Sequence, residues 1–297
     1  MRRSLTVLAL GTALAAPALL AWAQKPAGAQ APAAAAPAAA FEPVAQGQPI
    51  EARHLLAHRA AYRLTLDRVR DGAQITAANG AMAYEMLDAC DGWTTRQRFS
   101  LSISDRDGQE VETTSDYSTW ESKDGRHLRF ALTQTSQGAV SQRIQGEAEI
   151  TPEGGVVRYQ SPEVREVQLP RGTVLPNLHT IVTLNAARNN QRLVATPLFD
   201  GTTAQGAQDS TTVIGPWMAP AAVERFPSLS PLGSVRMRIA FFERNPDNPS
   251  AGGAATPDYE VSLRYWENGV ADEMKMDFGE FSVDGRMIEF QPVPSPC

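Results

Sequence analysis

Apolar and polar residues alternate with a period of two along much of this chain. In residues 60–68, Tyr62, Leu64 and Leu66 fall on one side, and Arg63, Thr65 and Asp67 on the other. Phe99, Leu101 and Ile103 alternate with Ser100, Ser102 and Ser104 in the same way. The pattern returns at Val235-Met237-Ile239-Phe241, Val261-Leu263-Tyr265 and Met274-Met276-Phe278. Period-two alternation predicts strands with one buried face. Between them stand Asp71-Gly72, Asn79-Gly80, Asp107-Gly108, Asp124-Gly125, Asn268-Gly269 and Asp284-Gly285, dipeptides that supply the positive φ of tight hairpins. The expectation is an antiparallel meander of about a dozen or more strands, and a sheet that long must curl, close or wrap over itself.

One segment breaks the alternation. In "LPNLHTIVTLNAARNN", residues 175–190, the positions Leu178, Ile181, Val182, Asn185 and Ala186 form a stripe of helical period. They predict one helix from near Pro176 to near Asn189, set against the concave face of the curled sheet or inside it. A second, short helix is predicted at residues 50–58, leading into the first strand. Residues 216–233 and 245–257 read as loops, and residues 50–297 as one domain.

The N-terminus places this domain in context. Arg2 and Arg3 precede an uncharged apolar run, and Ala21-Trp22-Ala23 forms a small-x-small site before Gln24. Residues 1–23 therefore read as a cleaved secretory signal, with an uncleaved anchor as the alternative. Residues 24–49 are an Ala/Pro-rich tract that reads as a disordered tether. No later run is apolar and long enough to predict a membrane span. The net charge is −6 and becomes more negative when Arg2 and Arg3 leave with the leader, which argues against nucleic acid as a partner. The chain holds two cysteines, Cys90 and Cys297. In an oxidising compartment they are most simply one disulfide; two free thiols are the other reading.

Candidate chemistry is sparse. G-x-S-x-G, HExxH, CxxC, P-loop and GxGxxG patterns are absent, so no catalytic residue, metal ligand or cofactor is assigned. His54 and His58 stand at i, i+4 with no third ligand nearby and read as helix surface or packing. His127 reads as solvent-facing. His179, early in the predicted helix, reads as structural, with ligand contact as its alternative. Asp200, Asp272 and Glu273 carry no pairing that marks acid–base work. The remaining hypothesis is the concavity: filled, it makes a scaffold; unfilled, it makes an apolar pocket for acyl chains, with Met274 and Met276 as adaptable lining.

Several blocks occur in order: "LLAHRAAYRLTL", "GAMAYEMLDACDGWTTRQRF", "YSTWESKDGRHLRF", "LPRGTVLPNLHT", "LFDGT" and "YWENGVADEMKMDFGEFSVDGRMIEFQPVPSPC". Together they resemble the EipB-type cell-envelope integrity proteins, a periplasmic family formerly classed as a domain of unknown function. The resemblance implies an all-β β-spiral or open barrel wound around a central helix, with a disulfide joining Cys90 and Cys297. It also implies a periplasmic role in maintaining the envelope against stress, with no known enzymatic activity; the expectation is a non-catalytic protein that binds a protein or envelope component as partner. The open barrels of lipid and lipoprotein carriers are similar in architecture, and that supplies the alternative reading, with an apolar ligand in the concavity.

Overall fold

The computed structural model describes residues 43–244 and 256–297. The leader, most of the tether and most of the 245–257 loop lie outside them. The strands are β1 (His58–Val69), β2 (Ile75–Asp88), β3 (Gly92–Asp105), β4 (Glu110–Ser122), β5 (His127–Ser136), β6 (Ala139–Thr151), β7 (Gly154–Ser161) and β8 (Arg165–Leu169). Helix α1 (Pro176–Arg188) follows, then β9 (Leu193–Leu198), β10 (Gln208–Met218), β11 (Ser234–Phe242), β12 (Tyr259–Trp266), β13 (Ala271–Asp277) and β14 (Phe281–Pro292). All fourteen strands share one antiparallel sheet, ordered 8-7-6-5-4-3-2-1-14-13-12-11-10-9.

This order forces the sheet to curl. Two meanders meet where β1 pairs with β14, and α1 carries the chain from the β8 edge to the β9 edge. A flat sheet of fourteen strands would set those edges roughly 60 Å apart. A 13-residue helix is only about 20 Å long. The edges come together instead, without pairing to each other. The loop after β9 lies against β5 and β7, with the Phe199 ring 5.3 Å from Phe130 and 6.4 Å from Tyr159. The Tyr159 hydroxyl donates to the Thr203 carbonyl and accepts from the Gly206 N–H, both at 3.0 Å. The result is an open barrel that overlaps its own seam.

Alternation sets the faces as expected on β1, where Tyr62 and Leu64 are buried and Arg63, Thr65 and Asp67 are mostly exposed. Two of the six predicted turns are corrected. Asn79-Gly80 lies inside β2 and Asp284-Gly285 inside β14, and both glycines pair with Leu64 of β1. A Cβ on Gly80 would stand 2.0 Å from the Ser100 carbonyl oxygen. Gly80 admits a close approach of neighbouring backbone, and Gly285 makes room for the Leu64 and Met274 side chains, which is the other use of glycine in a strand.

The predicted helix at residues 50–58 is reduced to a single 3-10 turn, Ala52–His54, before the chain enters β1. Helix α1 matches its predicted span, but its burial differs from the predicted stripe. No residue from Pro176 to Arg188 is exposed, and the deepest are His179, Thr183, Leu184, Ala186 and Ala187. Leu184, Ala186 and Ala187 pack with Ile50, Ile214, Val235 and Met237. Ile181 meets the Leu55, Ala57, Met86 and Trp93 cluster. Leu178 covers the β4–β5 turn at Gly125. These partners sit at one end of the barrel, so α1 forms its floor.

Candidate functional site

The floor is fixed by polar contacts that its own sequence does not provide. Leu175 precedes α1 and Pro176 opens it, so no local side chain caps the first N–H groups. Glu121 of β4 does so across the fold: its carboxylate accepts the Asn177 N–H at 2.8 Å and the Leu178 N–H at 3.1 Å. The helix dipole favours a negative charge there. Glu121 is only 1% exposed, and this burial pushes its pKa up to about 7 despite both hydrogen bonds.

The other half of α1 holds the chain that precedes β1. Asn185 accepts the Ile50 N–H at 2.7 Å and donates to the Ile50 carbonyl at 2.8 Å, completing both backbone groups as a neighbouring strand would. Arg188 donates to the Val44 and Ala45 carbonyls at 3.1 and 2.7 Å and lies 3.7 Å from the buried Glu267 carboxylate.

Above this floor the barrel is hollow. A cavity of about 460 Å³ runs between α1 and the inner wall. Phe99, Leu132, Ile239, Phe241, Val261 and Leu263 give it apolar surface, while Gln97, Gln134, Tyr117, Thr180 and Asp200 line its polar parts. A smaller cavity of about 160 Å³ shares Tyr84, Gln97 and Tyr265 and extends to His58, Met82 and Met86. The larger groove of about 840 Å³ lies across β14 and β1–β5 on the sheet's outer side. Its charged side chains are the Arg59–Glu85 and Arg98–Asp116 pairs together with Arg96 and Glu289.

The other singled-out residues are used structurally or stand apart. His54 and His58 share no helix: His54 Nδ1 accepts the Glu51 N–H, whereas His58 is buried at the start of β1. His127 is exposed. His179 faces the cavity, with Nε2 3.5 Å from the Ser210 hydroxyl and 3.4 Å from that of Thr212. Burial lowers the pKa of both His58 and His179 to about 4, so both imidazoles are neutral at pH 7. Asp200 lines the cavity, accepts Thr202 through one oxygen, and has its pKa raised by burial. Asp272 accepts the Met287 N–H, and Glu273 pairs with Arg236 and Arg264. Among the described residues, no cluster of three or more His, Cys, Asp or Glu could hold a metal ion.

Cys90 occupies the β2–β3 turn with φ +69°, and its Cα lies 5.5 Å from that of Cys297, with the two sulfurs at bonding distance. The C-terminal segment reaches it along the floor: Val293 donates to the Ala57 carbonyl, and the Ser295 hydroxyl to Asp88, both at 2.8 Å.

Glu121 and Asn185 are the site residues that pattern reading missed. The available signal was negative: a helix beginning Leu175-Pro176 with no cap needs an acceptor from elsewhere, and the sequence does not say which carboxylate supplies it.

A family model for EipB-like proteins matches residues 49–294. The chain belongs to the EipB-like family. It is 28% identical over 242 residues to the cell envelope integrity protein EipB of Brucella abortus (strain 2308), covering 80% of this chain and 84% of that protein. It also superposes on a crystal structure from Brucella abortus, described as a beta-barrel-like protein of a domain of unknown function. The TM-score is 0.72 at 27% identity, with 81% of this chain and 99% of that chain covered. The EipB-like fold is thus the open, helix-floored sheet described above. None of the helices among the described residues is long and apolar enough to cross a membrane.

Proposed function

We propose that this EipB-like chain is an exported, non-catalytic protein of the periplasm that maintains cell-envelope integrity by binding a protein or envelope component. The observation that carries this reading is the family match across residues 49–294, together with a relative named for envelope integrity. The signal-like residues 1–23 support export, and an oxidising compartment suits a Cys90–Cys297 disulfide. A non-catalytic role is supported by the carboxylates: Asp200, Asp272 and Glu273 are each engaged by different groups, and none is paired with another as acid and base.

A strain lacking this gene is expected to lose tolerance of detergent and to regain it when the full chain is restored. Rescue is expected to survive His179→Ala and Asp200→Asn and to fail when residues 2–23 are deleted. Rescue without the leader would contradict the export assignment, and failure of both point variants at normal abundance would point to chemistry in the cavity.

A second reading, a carrier of lipid or lipoprotein, is supported by the cavity of about 460 Å³, which falls within the ~300–1,000 Å³ of typical ligand sites.

A further inference from the structure

The cavity has an aromatic approach at the end opposite α1. Phe241 of β11 lines the cavity and pairs in register with Tyr259 of β12. Their rings stack with centroids 5.9 Å apart; the next ring, Phe278, stands 5.4 Å from Tyr259, and Phe281 stands 5.2 Å from Phe278. Phe278 belongs to the turn between β13 and β14, where the predicted alternation breaks, and it is 37% exposed while Phe281 is buried. Four aromatic rings therefore connect solvent at the barrel mouth with the interior.

The interior also has a definite charge character. Among the described residues, no lysine or arginine lines either cavity. Its ionisable groups are the Asp200 carboxyl, the His58 and His179 imidazoles and tyrosine hydroxyls. With both imidazoles neutral, an anionic head group would lose its hydration and find no counter-charge. An ester, amide or hydroxyl head would instead meet the Gln97, Gln134 and Thr180 side chains.

We propose that the lumen binds one uncharged, single-chain acyl amphiphile, admitted past Phe278 and laid along the Phe99–Ile239–Val261–Leu263 wall. This assignment rests on the carrier reading and narrows it, since it excludes free fatty acids and anionic phospholipids as the preferred guest. Met82, Met86 and Met274 beside the smaller cavity supply flexible apolar surface for chains of different length.

The test is calorimetric titration of the full mature chain with 1-monopalmitoylglycerol and with palmitate, both below their aggregation concentrations at pH 7.5. Three forms are compared: wild type, Val261→Trp, which fills the lumen, and Phe278→Ser at the mouth. One monopalmitoylglycerol per chain is expected, about tenfold or more tighter than palmitate. Val261→Trp is expected to lose that binding while keeping its melting temperature, with Ile239→Trp as the substitute if it does not fold. Stopped-flow mixing is expected to show slower entry in Phe278→Ser at an unchanged dissociation constant. Equal affinity for the two probes in wild type, still lost in Val261→Trp, would overturn the charge selection and leave a carrier. No binding of either probe would overturn both. Binding that survives both lumen-filling variants would place the site elsewhere, and an unchanged entry rate in Phe278→Ser would remove the portal.

Discussion

Replacing Cys90 or Cys297 by serine is expected to lower the melting temperature by roughly 10 °C or more and to expose the chain to proteolysis. The two residues are 207 positions apart, so a bond between them closes nearly the whole domain into one loop. Chain-entropy arithmetic assigns a loop of this size an upper value of roughly 5 kcal/mol. At this chain length each kcal/mol moves the melt by about 2–4 °C. The C-terminal segment is otherwise held by few contacts, among them Val293 to Ala57 and Ser295 to Asp88. Without the bond, that segment frays from the floor beside Trp93 and Met86. Either single variant and the double variant are expected to melt alike, because each removes the same bond, and reductant is expected to bring wild type to their value. A reductant-insensitive wild type melting with the variants would contradict the bridge.

Removing the carboxylate of Glu121 is the second large effect. Glu121→Ala leaves the Asn177 and Leu178 N–H groups buried without an acceptor, at about 1–3 kcal/mol each. A destabilisation of roughly 3 kcal/mol is expected by denaturant unfolding, with α1 and the Val44–Ile50 segment it holds losing hydrogen-exchange protection first. Glu121→Gln isolates the charge. With a folded pKa raised to about 7, Glu121 binds its proton more tightly folded than unfolded. Its contribution to stability is therefore fully present at low pH and fades as pH rises from its ordinary value near 4.5 through 7. His58 and His179 act in the opposite sense: their folded pKa values near 4 lie below the ordinary 6.5, so their contribution is lost as pH falls from 6.5 towards 4. Asp200 and Glu267, whose pKa values are also raised by burial, act in the same sense as Glu121, so its own part is read by comparing the wild type with the variant on acidification. Glu121→Gln is expected to weaken more steeply, the difference between the two proteins changing by about 3 kcal/mol between pH 4.5 and 7. Parallel pH profiles would show that Glu121 does not titrate as its burial requires.

The strands and α1 were legible because their information is local. Tyr62-Leu64-Leu66 and Leu178-Ile181-Val182 encode a period that needs no knowledge of the rest of the chain. Gly80 and Gly285 show where local reading stops. An Asn-Gly or Asp-Gly pair signals a turn by backbone freedom, but glycine's missing side chain also serves a strand, at Gly80 where the Ser100 carbonyl leaves no room for a Cβ and at Gly285 where Leu64 and Met274 pack closely. Only the register of β1 between β2 and β14 reveals which use applies. The burial of α1 was misjudged for a related reason. A helix enclosed within the barrel buries Thr183 and His179 as readily as leucine, provided their polar atoms find partners; the Thr183 hydroxyl donates to the His179 and Thr180 carbonyls at 3.0 Å. The cavity was legible only as one of two outcomes, a filled or an unfilled concavity. Whether Phe99, Phe241 and Val261 fill a lumen or line it depends on the barrel's circumference, a property of fourteen strands together.

The most direct test of the central claim, an exported and covalently closed binding domain, is the intact denatured mass of the chain recovered from the periplasm. The account predicts a chain that begins at Gln24 and lacks two hydrogens relative to its reduced form. A chain retaining residues 1–23, or carrying two free thiols in freshly recovered protein, would contradict it.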